Sequence, residues 1–178
     1  FVFPKIDGTN ASVWPEEWCE LHGVREPRLL AGSRTRCPSI EGDNAGFFDW
    51  TSKQESLYEF YSTGLHNHIR LYGEWLVPHS FKGYREDAWR RFYIFDVYND
   101  ETEQYLSYET YQPLLEEFGL DYIPPLAIVN NGDYSRFLHY LGNNFFLCPD
   151  GGEPGEGVVL KNYDYYNKFG RQTWAKII

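Results

Sequence analysis

The sequence contains no methionine, only three cysteines and no long apolar run. A transmembrane helix needs about 18 consecutive apolar residues, so none is expected, and no signal-like segment precedes the first predicted strand. Cys19, Cys37 and Cys148 are odd in number and include no C-x-x-C pair, which argues against a disulfide framework and a zinc knuckle. These absences predict an intracellular, cytoplasmic protein that does not bind membranes.

Positive charge is scarce as well, with 16 basic against 26 acidic residues and a formal net charge of −10. This balance argues against a broad surface that binds nucleic acid through its phosphates alone, although it leaves room for a small basic cleft. Aromatic residues make up 19% of the chain and predict an aromatic-rich core. With 178 residues the chain fits one domain, residues 1–178, and a monomer is expected. Its start at Phe1 without any methionine predicts a piece excised from a longer protein.

Local patterns predict a mixture of strands and helices. Segments rich in alternating, β-branched or aromatic residues indicate strands at 10–14, 18–21, 29–36, 69–77, 89–98, 124–129, 157–161 and 172–178. Apolar residues at helical spacing indicate helices at 53–63, 108–118 and 134–141. Residues 39–50 and 151–155 are rich in glycine and polar residues and are predicted to form loops. The chain is therefore expected to have an α+β fold.

Near the start of the chain, Lys5 stands two residues before Asp7 and three before Gly8. In an extended segment Lys5 and Asp7 point to the same side, and Gly8 lets the chain turn and leaves room for a ligand. We interpret Lys5 as a nucleophile. A lysine attacks only as the neutral amine, and its reference pKa lies about 3.4 units above pH 7, a cost of about 4.6 kcal/mol. Taken alone, the motif fits a strand end followed by a polar turn better.

Further along the chain, ionisable residues occur at five places within hydrophobic, strand-like segments. They are Arg34, Glu74, Asp96 beside Phe95, Glu156 with Lys161, and Lys176. An ordinary half-buried ion pair or an outward-facing residue explains any one of them. Glu156 and Lys161 are an odd number of residues apart, so a regular strand sends them to opposite faces. If both serve one site, Glu156 must lie at the mouth of the strand, just after the glycine loop.

Together these side chains suit a nucleoside triphosphate. Arg34, Lys161 and Lys176 are candidates for neutralising phosphate oxygens, and positive charge near Lys5 would lower its pKa. Glu74 and Glu156 are candidates for ribose hydroxyls or a hydrated Mg²⁺ ion. Phe95 is a candidate for stacking on a base.

The order and spacing of these segments resemble motifs I, III, IIIa, IV and V of the covalent nucleotidyltransferase superfamily of polynucleotide ligases and messenger-RNA capping enzymes. The matching segments are KIDG at 5–8, LYGEW at 71–75, FYIFDV at 92–97, EGVVLK at 156–161 and Lys176. Asn10 and the segment SRTR at 33–36 are similar to RNA ligases in particular. The resemblance implies a nucleotidyltransferase domain in which largely antiparallel sheets form a nucleotide-binding cleft with short flanking helices.

The resemblance also implies a role for each matching position. Lys5 would attack the α-phosphate of ATP and carry AMP, before the AMP passes to an RNA 5′-phosphate that a 3′-hydroxyl attacks. Lys161 and Lys176 would act with Lys5 in catalysis. The implied nucleotide contacts are Lys5, Ile6, Asn10, Arg34, Glu74, Phe95, Lys161 and Lys176. Glu156 and Asp7 would hold Mg²⁺ or Mn²⁺, and Arg34, Arg36 and Asp96 would support the RNA end.

Two positions depart from the superfamily pattern. Pro4 stands where many relatives have an acidic residue that reads the adenine amino group, and Ile178 stands where the nearest pattern has a second lysine. Two alternatives therefore stay open beside an ATP-dependent RNA ligase. One is a capping-type guanylyltransferase that uses GTP, and the other is a non-catalytic nucleotide- or RNA-binding module of the same fold.

Overall fold

The computed structural model describes residues 1–16, 19–21, 24–26, 28–33 and 43–178, so the predicted site residues Arg34 and Arg36 lie outside the described ranges. The chain forms two compact units, each assembled from separate segments. The first unit comprises Phe1–Gly8, Leu76–Arg91 and Ile123–Ile178, and the second comprises Thr9–Trp75 and Phe92–Tyr122.

The elements combine short helices with antiparallel strands, as an α+β fold requires. In chain order they are β1 Val2–Lys5, β2 Thr9–Pro15, β3 Cys19–Leu21, β4 Val24–Glu26, β5 Leu29–Gly32, α1 Phe47–Thr51, α2 Glu55–Ser62, β6 Ile69–Trp75, β7 Phe92–Asn99, β8 Gln104–Tyr105, α3 Tyr108–Glu117, α4 Tyr134–Leu141, β9 Gly157–Leu160 and β10 Ala175–Ile177. None of the helices in the described ranges has the length and hydrophobicity that crossing a bilayer requires.

The second unit is built on an antiparallel five-stranded sheet with the order β5-β2-β6-β7-β8. Its central strand β6 alternates between buried and half-buried side chains. Leu71 and Trp75 face the core, whereas Glu74 lies on the opposite face. Gly73 is required between them, because a Cβ atom there would lie 2.5 Å from the carbonyl oxygen of Tyr93.

Aromatic side chains join the helices of the second unit to this sheet. The ring centroid of Phe47 in α1 lies 5.7 Å from that of Trp75 and 5.0 Å from that of Phe92. In α2 the hydroxyl of the fully buried Tyr61 lies 3.1 Å from the carbonyl oxygen of Val13 in β2. Such rings bury large apolar areas, so the expectation of an aromatic-rich core is confirmed.

The first unit contains a three-stranded antiparallel sheet in which β9 lies between β1 and β10. Val2 and Val158 are at most 1% exposed and anchor one side of the sheet. Gly157, the first residue of β9, allows a close approach of the C-terminal strand, because a Cβ atom there would lie 2.3 Å from the carbonyl oxygen of Ile177. The register of this sheet positions the candidate site described below.

Most of the predicted elements are confirmed to within a few residues at their ends. The structure has strands at the predicted positions 10–14, 69–77 and 157–161 and helices at 53–63, 108–118 and 134–141. The helix α3 stops before Gly119, whose positive φ of 62° suits the C-terminal stop that the sequence indicated.

The predicted strand at 124–129 is wrong. The structure has only an isolated bridge there, in which the amide of Val2 donates to the carbonyl oxygen of Ala127 at 2.8 Å. Pro124 and Pro125 have no N–H groups, so this segment cannot supply a regular ladder of hydrogen bonds from its start. The hydrophobic run is typical of a strand, but the first two residues of the segment cannot donate to a ladder.

The predicted loop at 39–50 is wrong at its end, where residues 47–50 belong to α1. Residues 39–42 of that prediction lie outside the described ranges. The helix forms because Phe47 and Trp50 pack on each other and on β-sheet aromatics such as Trp75. Asp43 stabilises its first turn, since its Oδ1 accepts the backbone N–H of Phe48 at 2.7 Å. Tertiary packing thus overrides a polar, glycine-rich local signal.

Candidate active site

Lys5 is the last residue of β1 and pairs directly with Gly157, the first residue of β9. Glu156 therefore stands at the mouth of β9, where the parity argument required it. The Nζ atom of Lys5 forms an ion pair with the carboxylate of Glu156. Their side chains are only 20% and 25% exposed, so the contact is partly shielded from solvent. The structure thus brings together the predicted nucleophile and a predicted metal ligand that are 151 residues apart in the sequence.

Two further lysines lie on the same face of this sheet as Lys5. In β10 Lys176 pairs with Val159, which is two residues beyond Gly157 and hence on the same face of β9. The side chain of Lys161 follows the same alternation. We call Lys5, Lys161 and Lys176 the lysine face. Given about 4.8 Å between strands and about 3.3 Å per residue, the Cα atoms of Lys5 and Lys176 are about 12 Å apart.

Lys161 is the buried member of the lysine face, at 3% exposure. Its Nζ atom lies 4.6 Å from the ring centroid of Phe3 and 5.6 Å from that of Trp174. Its backbone is fixed by hydrogen bonds with Phe1 in both directions, at 2.9 and 3.0 Å. Aromatic faces attract a cation but replace its hydration only in part. A positive charge is therefore held in a site of low solvent exposure beside the nucleophile strand.

Asn144 is a site residue that the sequence did not reveal. It is 1% exposed, and its Nδ2 donates to the carbonyl oxygens of Gly157 at 2.7 Å and Lys5 at 3.3 Å. Its own carbonyl oxygen accepts the N–H of Gly155 at 2.7 Å. The buried side chain of Asn144 thus ties the end of β1 to the start of β9, and its backbone holds the loop that carries Glu156. In the sequence Asn144 follows Gly142 and reads as an ordinary turn residue.

We expect Asn144→Ala to lower the free energy of unfolding by about 2–4 kcal/mol, because two buried carbonyl groups lose their donor and a small cavity remains. The measurement is urea denaturation followed by circular dichroism. Asn143→Ala is the matched control, since Asn143 is exposed and its side chain donates to the backbone carbonyl oxygen of His139 at 2.7 Å. Equal urea midpoints for the two variants would contradict the role assigned to Asn144.

Asp7 holds a neighbouring loop of the first unit. Its Oδ2 accepts the backbone N–H of Phe81 at 2.6 Å, and its Oδ1 lies 2.8 Å from Nδ1 of His79. The backbone N–H of Asp7 donates to the hydroxyl of Tyr84 at 2.7 Å. Burial raises the pKa of Asp7, but the hydrogen bonds from Phe81 and His79 outweigh it and leave the pKa below its ordinary value. A metal ion at Asp7 would have to share oxygens that already accept hydrogen bonds.

The lowered pKa of Asp7 predicts a pH-dependent contribution to stability. A carboxyl group with a depressed folded-state pKa stabilises the fold above its ordinary value of 3.8, and this stabilisation is lost as the pH falls through the folded-state pKa. Asp7→Asn should cost about 1–3 kcal/mol at pH 7, because an amide cannot accept both hydrogen bonds. The difference in urea midpoint between the two proteins should shrink below pH 3.8. A difference that stays constant with pH would overturn this assignment.

The second unit holds the other predicted nucleotide contacts within the described ranges. Asn10 in β2 pairs directly with Glu74 in β6, so the two side chains lie side by side on one face of the five-stranded sheet. Tyr72 of β6 pairs with Asp96 of β7, but the next residue, Gly73, pairs with Ile94, which leaves Phe95 of β7 in a β-bulge. Bulges redirect side chains, and Phe95 is half-buried whereas Asp96 is 6% exposed. The roles of these residues stay predictions.

The remaining predicted contact, Ile6, directly follows β1 and is 4% exposed. Its role also stays a prediction. Within the described ranges no cluster of three or more histidine, cysteine, aspartate or glutamate side chains is arranged to hold a metal ion. A magnesium ion does not need such a cluster, because it commonly binds one or two carboxylates together with waters and substrate phosphates. Glu156 fits that mode of binding.

The family and structure comparisons both point to RNA ligases. A protein-family model for RNA ligase matches residues 1–178. An archaeal ATP-dependent RNA ligase superposes with a TM-score of 0.68 at 19% identity, covering 99% of this chain and 41% of the other. Naegleria gruberi RNA ligase with PPi gives 0.64 at 18% identity, covering 99% and 48%. A mutant of that enzyme with ATP and Mn gives 0.65 at 20% identity, covering 92% and 45%.

These likenesses show a shared fold, which agrees with the predicted α+β class. The chain spans less than half the length of each of these solved structures. None of the curated proteins matches it in sequence.

Proposed function

Because this chain belongs to the RNA ligase family, we propose that it carries out the nucleotidyl-transfer chemistry of an ATP-dependent RNA ligase. The observation that carries the proposal is the lysine face, where Lys5 meets Glu156 and two more ammonium groups share the same side of one sheet. A nucleophilic amine that shares one sheet face with two other lysines suits attack on a polyphosphate, because ammonium groups neutralise phosphate oxygens.

The first step forms a bond between Nζ of Lys5 and the α-phosphorus of ATP. Before the attack the ammonium of Lys5 gives one proton to solvent water, because an ammonium has no lone pair, and its ion pair with Glu156 opens. The bond from that phosphorus to the bridging oxygen then breaks and pyrophosphate leaves. The attacking nitrogen gives a second proton to solvent water, which leaves a phosphoramide. In the following steps AMP passes to an RNA 5′-phosphate, and a 3′-hydroxyl displaces AMP to form the phosphodiester.

We expect Lys161 and Lys176 to stabilise the charge that develops on the phosphate oxygens. Lys161 acts from a buried position, where electrostatic stabilisation is stronger than in water. Lys176 is exposed and is suited to the pyrophosphate or to the RNA phosphate. Asn144 keeps the strands that carry Lys5 and Glu156 in register, so it acts as a positioning residue.

A divalent cation is the expected cofactor, and Glu156 is its expected ligand. When bound, Mg²⁺ or Mn²⁺ supplies positive charge that neutralises phosphate oxygens. Three solved structures of one relative support the nucleotide and the metal. One Naegleria gruberi structure contains ATP and Mn, and another contains AMP and Mn. A third contains PPi, which is the product that the first step releases.

The test is incubation of the pure protein with ATP and Mg²⁺, followed by intact-mass spectrometry. A covalent AMP adduct is expected. A GMP adduct formed from GTP in its place would favour the capping-type alternative, and ATP binding without any adduct would favour a non-catalytic binding module. A chase of the labelled adduct with nicked RNA duplex and with 5′-phosphorylated single-stranded RNA then identifies which RNA end accepts AMP.

A further inference from the structure

The connection between β9 and β10 exposes an unusual concentration of aromatic side chains. Tyr165, Tyr166 and Phe169 are 53%, 41% and 73% exposed, although they lie within five consecutive residues. We call residues 162–172 the aromatic loop. Single exposed hydrophobic residues are common on protein surfaces, but a contiguous exposed group marks an interaction site.

Hydrogen bonds within the aromatic loop fix its backbone conformation. The Oδ1 atom of Asn167 accepts the N–H groups of Phe169 at 2.9 Å and Arg171 at 3.2 Å. The N–H of Asn167 donates to the carbonyl oxygen of Arg171 at 2.9 Å, and Gln172 donates to that of Tyr163 at 2.8 Å. These hydrogen bonds fix the turn that carries the exposed rings. Such preorganisation lowers the entropic cost of binding a partner.

The charge of this region is opposite to that of the whole chain. Residues 161–178 contain the basic side chains of Lys161, Lys168, Arg171 and Lys176 and only one acidic side chain, that of Asp164. The whole chain has 26 acidic against 16 basic residues. A local excess of positive charge on an acidic protein favours an anionic partner at this place.

The aromatic loop is continuous with the lysine face. It begins directly after Lys161 and ends four residues before Lys176, so lysine-face residues stand at both of its ends. Trp174 links the two regions, because its ring lies against the ammonium of Lys161 and against the ring of Tyr163. A polyanion bound along the aromatic loop is therefore directed toward the lysine face.

We propose that the aromatic loop is a docking surface for the single-stranded RNA segment next to the end that is joined. The rings of Tyr165, Tyr166 and Phe169 stack on bases, and Lys168 and Arg171 contact the phosphates. Stacking of bases on aromatic side chains is tolerant of sequence, as an end-joining enzyme requires. The proposal rests on the proposed function for the identity of the polyanion as RNA.

The first experiment measures binding of a fluorescent, 5′-phosphorylated single-stranded RNA to the full chain by anisotropy. Tyr165→Ala, Tyr166→Ala and Phe169→Ala should each raise Kd by at least about fivefold, given the loss of a stacked base. Tyr134→Ala is the control, because Tyr134 is 66% exposed on α4 and lies outside the aromatic loop. Unchanged Kd values in all three loop variants would overturn the proposal, and so would the absence of RNA binding to the unmodified chain at low salt.

The second experiment measures the salt dependence of RNA binding. The double variant Lys168→Ala and Arg171→Ala should reduce the slope of log K against log salt by about 1.4, since each phosphate contact to a single strand contributes about 0.7. Lys53→Ala, which removes an exposed lysine of the second unit, should leave the slope unchanged. A slope unaltered by the double variant would contradict phosphate contacts at the aromatic loop.

Two further measurements distinguish a failure of the docking-surface proposal from a failure of the proposed catalysis. Vesicles containing anionic phospholipid, offered in place of RNA, test a lipid surface, and loop-dependent binding to vesicles but not to RNA would overturn the proposal. Self-adenylylation in the absence of RNA tests the proposed function alone. If no lysyl-AMP forms while RNA binding still depends on the aromatic loop, the proposed catalysis fails and the docking surface stands.

Discussion

Lys5→Arg should abolish the covalent AMP adduct, with the yield falling by at least about 10³-fold, while the protein remains folded. Arginine keeps a positive charge that can pair with Glu156, so the electrostatics of the contact are largely retained. Its guanidinium cannot be deprotonated in a protein and cannot act as the nucleophile. The measurement is intact-mass spectrometry after incubation with ATP and Mg²⁺.

The control for this variant is Lys53→Arg, which changes an exposed lysine paired with Asp49 at 2.6 Å. It should form the adduct at the normal rate. Peptide mapping of the unmodified protein should place AMP on Lys5. An adduct of normal yield in Lys5→Arg, or AMP found on another lysine, would exclude Lys5 as the nucleophile.

Lys161→Met should slow adduct formation by about 10²–10³-fold, because a buried cation that stabilises developing charge on the phosphate is removed. Methionine has a similar length and packs favourably against aromatic rings such as Phe3 and Trp174. Removing one member of a buried charged contact can itself destabilise the fold, so the urea midpoint is measured beside the rate.

The two measurements together separate catalysis from folding. Rates of adduct formation come from quenched time courses, and stability comes from urea denaturation of the same samples. Lys176→Met is the informative comparison, because Lys176 is exposed and its charge acts through solvent, so a smaller effect is expected. A normal rate in Lys161→Met would remove Lys161 from the catalytic set. A slow rate with a strongly lowered midpoint would reassign it to structure.

Elements with a strong local signal were predictable from the sequence. The helix α4 has its predicted ends, Tyr134–Leu141, and β6 shows the expected alternation of buried and half-buried residues. The strand prediction at 124–129 failed because hydrophobicity was weighed above the missing N–H groups of two prolines. The helix α1 was missed because its stability comes from rings on other elements, which no local window contains.

Some residues of the candidate site were predictable from the sequence and others were not. Residue types and motif order identified Lys5, Glu156, Lys161 and Lys176 as candidates. Parity placed Glu156 at the mouth of a strand on the condition that it serves one site with Lys161. Asn144 was not predictable, since its importance lies in two carbonyl groups, one of them 139 residues away. The aromatic loop was also not predictable as a surface, because the same rings in a buried strand would have been core residues.

The sequence by itself determined which side chains are available for phosphate chemistry and which of them share a face of one strand, because side chains alternate along an extended backbone whatever its partners. Only the tertiary structure decided which strands meet. Pairing of β1 with β9, and of β10 with β9, sets Lys5 beside Glu156 and on one face with Lys161 and Lys176. The register of such distant strands depends on the packing of the whole unit, and a shift by one residue would move each lysine to the opposite face.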